Sequence, residues 1–255
     1  SLYSDLHKFN ADELSRRFNV TAKHSIEKMA ASYHDAFLTV SDITANECKY
    51  LLGREVTHIT PNGFENDFVW QGEEFAAKRK EARAAMIKVA EACLQHKFEK
   101  EPLIIGTSGR YEFRNKGLDI FMESLKRLAT CNLDREILAY ITVPAANNGA
   151  RADLVRHLND AQQPIDESQW KFSTHYLENP QWDPISQSMR GSVLESADSK
   201  VKVIFVPSYL NSNDGVFNKN YYEMLVGMDV TAYPSYYEPW GYTPLESIAF
   251  SVPTI

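Results

Sequence analysis

Two glutamates stand eight positions apart in the stretch "YPSYYEPWGYTPLES", residues 233–247. Glu238 is set between an aromatic and a proline, and Glu246 follows a Thr-Pro-Leu run. Thr243 and Glu246 have the spacing of a capping box, and Pro244 suits the first helical position, so a helix should begin here. Capping gives Glu246 a structural task, accepting from the backbone amide of Thr243. Its carboxylate could equally accept two hydroxyls of a ribose. Glu238 has no comparable structural task. The exposed amides of Gly241, Tyr242 and Thr243 would meet a phosphate end-on at the helix N-terminus. An acid placed beside a phosphate is electrostatically costly, so Glu238 should serve a sugar hydroxyl or a developing cation; the alternative is a structural glutamate.

A second constellation is "SGRYEFRNKG", residues 108–117, which holds Arg110, Arg114 and Lys116 among small residues. A glycine permits close backbone approach, a guanidinium forks two oxygens, and a lysine near a helix start adds charge, which together suit a diphosphate. The loop fits neither glycine pattern of the common nucleotide-binding motifs. It also reads as a solvated charged loop, Arg114 most of all. A third is the pair Tyr221 and Tyr222 at the start of "NYYEMLVG". One of them would cap the core and the other would stack on a flat base, or both are ordinary packing aromatics.

The elements that position these groups alternate. From Pro102 onward, apolar strands "LIIGTS", "EILAYITV", "VKVIFVP" and "MDVTAYP" are separated by helical segments "GLDIFMESLKRLA", "DLVRHLND", "DPISQSMRG" and "NYYEMLVG". "PLESIAF" follows as a helix and "VPTI" begins a fifth strand. This rhythm predicts a parallel sheet covered on both faces, with ligands outside the carboxyl ends of its strands. Upstream, "HDAFLTV" (34–40) reads as a buried strand. Ser41 then caps the helix "DITANECKYLL", Gly53 ends it, and "VTHIT" is a short strand. Between Phe75 and Phe98 a helix carries Ala82, Met86, Val89 and Cys93 on one face. That face packs on a core or forms an oligomer contact. We expect boundaries near 62 and 100: residues 1–62 as the end of an N-terminal domain, 63–100 as a helical connection, and 101–255 as a Rossmann-like domain.

The 255 residues carry a net charge of −7, with 44% hydrophobic and 24% charged side chains. That is globular composition without broad attraction to nucleic acid or an acidic membrane. No apolar run reaches the ~20 residues that span a bilayer. Cys48, Cys93 and Cys131 are far apart and odd in number, which fits reduced thiols in a cytoplasm. The sequence stops at "SVPTI" as a strand begins, and we expect a fragment of a longer protein.

Taken together, "FLTVSDITANECKYLLGREVTHITPNG", "SGRYEFRNKGLDIF", "FSTHYLENPQWDPI", "VKVIFVP" and "YYEMLVGMDVTAYPSYYEPWGYTPLES" resemble, in order, the glycogen synthases of the animal and fungal type. The resemblance covers residues ~25–255, and "PSYYEPWGYTP" is its most specific part. It implies a two-domain Rossmann-like glycosyltransferase (GT-B) fold, of which this chain holds the end of the N-terminal domain and most of the donor-binding domain. It also implies a retaining transfer of glucose from UDP-glucose to the 4-hydroxyl of a glucan end. Arg110 and Lys116 would hold the pyrophosphate and Tyr221 would stack on the uracil. Glu238 would lie beside the glucose and Glu246 would hold the ribose. Tyr242 and Thr243 would lend amides to phosphate and sugar. No cofactor or metal is implied; the partners are UDP-glucose and a glucan chain, with a homo-oligomer of the full-length protein as a further expectation. The family's glycine-rich segment and its arginine cluster are not in this sequence. The stretch "NNGARADLVRHLNDAQQPIDESQW" is also shorter than the helical insert of eukaryotic members. At the level of sequence, two alternatives stay open. One is a retaining transferase of the same fold that uses ADP-glucose. The other is a non-catalytic nucleotide- or glucan-binding module.

Overall fold

The computed structural model describes residues 2–255, which divide into two units. One runs up to Glu65 and includes Glu238–Gly241; the other holds Asn66–Tyr237 and Tyr242–Ile255.

The first unit opens with three helices, α1 (Leu2–Asp5), α2 (Ala11–Arg17) and α3 (Thr21–Tyr33). Asn10 caps α2 by accepting from the Glu13 amide at 3.1 Å. Strand β1 (Leu38–Thr39) pairs in parallel with β2 (His58–Ile59). Between them Ser41 caps α4 (Asp42–Glu47) through a capping box with Thr44. The helix continues as a π turn, Cys48–Leu52, and ends at Gly53, whose φ of +73° is the left-handed geometry of a helix stop. The cap and the stop lie where the sequence puts them. The buried strand expected over 34–40 shrinks to two residues, and Leu38 is 49% exposed. A sheet of two such short strands has little face to bury.

In the second unit, α5 (Gly72–Leu94) carries the predicted stripe: Ala82, Met86, Val89 and Cys93 are all buried. It stops ahead of the expected Phe98 because Gln95 turns left-handed, with φ +50°. Then follow β3 (Leu103–Ser108), α6 (Leu118–Ala129), β4 (Ile137–Thr142), β5 (Asn147–Ala150) and α7 (Ala152–Asn159). After them come β6 (His175–Leu177), α8 (Pro184–Met189), β7 (Val201–Phe205), α9 (Tyr221–Leu225), β8 (Val230–Thr231) and α10 (Tyr242–Ala249). The sheet order is β7-β4-β3-β8, every pairing parallel, and Thr254 bridges Thr231 as the expected fifth strand begins.

Every residue of β4 and β7 is buried, the signature of a sheet covered on both sides. Successive side chains alternate between the two faces. Ile137, Ala139 and Ile141 join Val203 and Phe205 in a cluster with Phe121, Met122 and Leu125 of α6 and Ile185 and Met189 of α8. On the other face Tyr140 donates its hydroxyl to the Met86 carbonyl of α5 at 2.7 Å. The antiparallel pair β5–β6 has no apolar alternation to announce it; the Asn147 amide holds its entry by donating to the Pro207 carbonyl at 2.7 Å.

A guanidinium clamp fixes α5 to the turn before β8. Arg83 and Arg79 donate to the two Asp229 carboxylate oxygens at 2.9 and 2.6 Å, and Asp229 also accepts from the Ile104 amide at 2.8 Å. Arg79 caps the Val226 and Met228 carbonyls as well. All three cysteines are unpaired. Among the described residues no helix is long and apolar enough to cross a membrane.

Candidate functional site

Strand β3 delivers Ser108 to its carboxyl end, and Gly109 turns the chain outward with φ +134°. The loop that follows re-enters α6 through Gly117, which has φ +65°. A Cβ on Gly117 would stand 1.8 Å from the Pro234 carbonyl oxygen, so only glycine lets this loop meet the one after β8. The two loops are also joined where the Tyr236 amide donates to the Asn115 carbonyl at 3.0 Å. They flank the neighbouring strands β3 and β8, from which the chain departs in opposite directions across the sheet, the position where open α/β sheets take ligands.

A crevice of about 390 Å³ opens there. Arg110 and Tyr111 line it from the β3 loop, Tyr209 from the loop after β7, Tyr221 from α9, and Thr243 and Glu246 from α10. The Arg110 side chain is 77% exposed and rests against the Glu112 carboxylate at 3.2 Å. Tyr111 is a structural wall. Its hydroxyl donates to Asp183, the cap of α8, and accepts from the Ile185 amide at 3.2 Å. Burial, together with that carboxylate, pushes the phenol far above its usual range.

Asn220 caps α9 in a box with Glu223, and this sets the adjacent pair Tyr221 and Tyr222. The two rings have separate tasks. The Tyr221 hydroxyl is 2.9 Å from Ser108 Oγ and 3.3 Å from the Tyr233 hydroxyl. Tyr233 in turn is 3.0 Å from Ser247 Oγ, which accepts from Thr231 at 2.9 Å. This hydroxyl chain ties β3, α9, β8 and α10 together beneath the crevice. Burial pushes the Tyr221 phenol well above its usual range, and Tyr233 adds to the effect. Tyr222 stacks on Phe250 with ring centroids 4.9 Å apart and 13° between planes. Its hydroxyl donates to Glu246 Oε1 at 2.9 Å. Burial raises the Glu246 carboxyl above its ordinary value, and the Tyr222 bond partly offsets that rise.

Helix α10 begins at Tyr242, one residue ahead of the expected cap, so Thr243 and Pro244 stand inside its first turn. The Glu246 carboxylate meets Tyr222. Of the residues picked from the sequence, the structure gathers Arg110, Tyr221, Thr243 and Glu246 around one crevice. Lys116 is half-buried in the same loop as Arg110, and Tyr242 is exposed; neither lines the crevice. Glu238 and Gly241 belong to the segment grouped with the first unit; Glu238 is half-buried there, and Gly241 is buried with φ +84°. Sequence reasoning missed Ser108, Tyr233 and Ser247, whose roles are visible only as a network. It also missed Tyr209, although "VPSYL" ends a strand at the expected rim. Among the described residues no three His, Cys, Asp or Glu side chains cluster as a metal site.

The family model described as Glycogen synthase matches residues 1–166 and 154–255 of the chain. The chain is 27% identical over 311 residues to a glycogen [starch] synthase of Neurospora crassa, covering 99% of this chain and 44% of that protein. It is 26% identical to the liver glycogen [starch] synthase of Homo sapiens, again covering 99% of this chain and 44% of the relative. Thus it spans less than half the length of the curated relatives it matches. Among solved structures, a sucrose-phosphate synthase from Thermosynechococcus elongatus aligns with a TM-score of 0.47 at 16% identity, covering 91% of this chain and 43% of that one.

Proposed function

The chain belongs to the glycogen synthase family, with its GT-B fold class, and from that premise we propose that it is the donor-binding part of a retaining glucosyltransferase. Its reaction would move glucose from UDP-glucose to the 4-hydroxyl of an α-1,4-glucan end. The carrying observation is the convergence of Arg110, Tyr221, Thr243 and Glu246 on one crevice at the carboxyl ends of a parallel sheet.

In this reading the diphosphate lies between the Arg110 guanidinium and the first turn of α10, whose amides have no helical partner. Lys116 adds a second cation from the same loop. The Glu246 carboxylate, held by Tyr222, accepts the ribose hydroxyls, and the base lies against the Tyr221 ring. Glu238 and the Gly241 and Tyr242 amides serve the glucose side. The bond from glucose C1 to the diphosphate oxygen breaks, and its electron pair leaves with the diphosphate. The glucan 4-hydroxyl bonds to C1 on the same face, and its proton passes to an oxygen of the departing diphosphate. Cationic side chains and helix amides aimed at the leaving diphosphate stabilise the charge that develops on it, the role a metal ion plays elsewhere.

Calorimetric titration with UDP and with ADP tests this. UDP should bind the chain more tightly than ADP. Arg110→Ala should weaken UDP by about 1.5–3 kcal/mol, the range for hydrogen bonds to charged groups. Unchanged UDP affinity in a folded Arg110→Ala protein removes the diphosphate from this crevice, and a preference for ADP changes the donor.

A further inference from the structure

The sheet has a second polar cavity at its other end. It encloses about 360 Å³ where the chain enters β4 and β7, and the loop after α5 closes it. Four of its cations are Lys100, Arg135, Lys200 and Lys202. Three of these four are held by backbone carbonyls. Lys202 Nζ donates to the Ala197 carbonyl at 2.7 Å, and Lys200 to that of Leu133. Arg135 donates to the Glu101 and Pro102 carbonyls at 2.6 and 3.3 Å. A carbonyl fixes a cation in space and leaves its charge uncompensated.

Lys202 is the sharpest case. It lies within β7, in register with Leu138, and is only 6% exposed. Among the described residues no carboxylate stands within ion-pair distance of its ammonium. The nearby Glu136 carboxylate is already engaged by His96 at 2.8 Å. Glu99, Asp134 and Asp198 also line the cavity. Burial lowers the Lys202 pKa and Lys171 adds to that, while Glu136 and Asp198 pull it back up. A buried ammonium whose carboxylates stand too far off for a direct ion pair keeps part of its desolvation cost, and a bound anion relieves that cost.

We propose that this cavity binds a small phosphate-bearing anion, with Lys202 at its base and Lys100, Arg135 and Lys200 at its mouth. A tetrahedral oxyanion offers enough acceptor oxygens to meet several donors at once. The volume leaves room for a small organic group on the phosphate. The site lies at the amino ends of the strands, opposite the crevice, and does not depend on the reading of that crevice.

The test is a titration of the chain with inorganic phosphate and, separately, with glycerol phosphate at constant ionic strength. An Arg110→Ala background lowers the contribution of the crevice, and Lys202→Met reports on this cavity alone. Saturable binding of either anion, followed by calorimetry and by a rise in melting temperature, is expected. Lys202→Met should weaken it about ten-fold or more, the equivalent of one charge-assisted hydrogen bond. Its melting temperature without anion should not fall, because the ammonium it removes is buried without a partner carboxylate. Lys100→Ala, at an exposed position that does not bear on folding, should weaken binding a few-fold. Binding of neither anion beyond the chloride control overturns the proposal. So does a response that survives Lys202→Met, or, if that variant is unfolded, one that survives Lys100→Ala unchanged.

Discussion

The Tyr222 hydroxyl donates to Glu246 Oε1 at 2.9 Å, joining the first turn of α9 to the second turn of α10 at the wall of the crevice. The bond holds a half-buried carboxylate that burial raises above its ordinary pKa. The same contact, after burial, helps push the Tyr222 phenol up to about 12.

That geometry sets a pH dependence. An acid whose folded pKa lies above its unfolded value binds more protons when folded. Its stabilising contribution is complete below the unfolded pKa and is lost as pH rises through the folded one. Glu246→Gln should therefore flatten the decline in stability above about pH 4.3, the ordinary glutamate pKa. Tyr222→Phe should steepen it, because the bond that favours the ionised form is gone. Urea midpoints of the three proteins across pH 4 to 8 read this directly. Parallel wild-type and Glu246→Gln curves would show that Glu246 does not titrate within the range.

The clamp at Asp229 has the opposite sign. Burial alone would raise this carboxyl, but the Ile104 amide and the guanidinium groups of Arg83 and Arg79 outweigh it and hold the pKa below its ordinary value. The stability it contributes is present above the unfolded pKa and lost as pH falls through the folded one. Asp229→Asn should cost about 3 kcal/mol near neutral pH, since it leaves Arg79 without its carboxylate and Arg83 with Glu101 alone. The acid limb of the stability curve should become shallower. A loss below ~1 kcal/mol would mean that the backbone carbonyls and the Arg83–Glu101 pair suffice to hold α5 in place.

Much of this was legible in local sequence. Ser41, Gly53 and the Ala82–Met86–Val89–Cys93 stripe report nearest-neighbour chemistry, and the structure keeps all of them. Continuous apolar runs likewise mark β3, β4 and β7. What local sequence does not carry is the partner across space. Thr243 and Glu246 have the spacing of a helix cap, yet the helix starts a residue earlier and the carboxylate turns to Tyr222, 24 positions away. Tyr221 reads as a flat ring, and its hydroxyl network with Ser108 and Tyr233 appears only when three elements are brought together. The short strand at 38–39 shows the converse: an apolar run becomes a buried strand only when a sheet is there to cover it.

Gly117 is the position where the β3 loop tolerates no side chain. Its φ of +65° costs a residue with a Cβ about 1–2 kcal/mol, and the Pro234 carbonyl 1.8 Å from that Cβ is backbone that has nowhere to retreat. Gly117→Ala should lower the melting temperature by several degrees and weaken UDP through displacement of Arg110. Gly53→Ala is the control. It shares the positive φ but has no atom near its Cβ, so it should lose the strain energy alone. Equal losses in the two variants would remove the steric contact from the account.

Tyr221 separates the ring from the hydroxyl. Tyr221 lines the crevice, where the proposed base would lie against its ring, while the hydroxyl is taken by Ser108 at 2.9 Å and Tyr233 at 3.3 Å. Tyr221→Phe keeps the ring and leaves Ser108 and Tyr233 one partner short, which should cost about 1 kcal/mol of stability. UDP affinity should stay within about two-fold, since the stacking face is intact. Tyr221→Leu keeps apolar volume and removes the flat face. It should weaken UDP by about 0.5–1.5 kcal/mol beyond its effect on stability, the usual worth of an aromatic pair. The two variants are compared by calorimetry at a temperature where both are folded. If Phe loses affinity and Leu loses no more, the hydroxyl touches the nucleotide and the network beneath the crevice opens on binding. If neither loses affinity, the base lies elsewhere, and Tyr209, 74% exposed on the same rim, becomes the ring to substitute next.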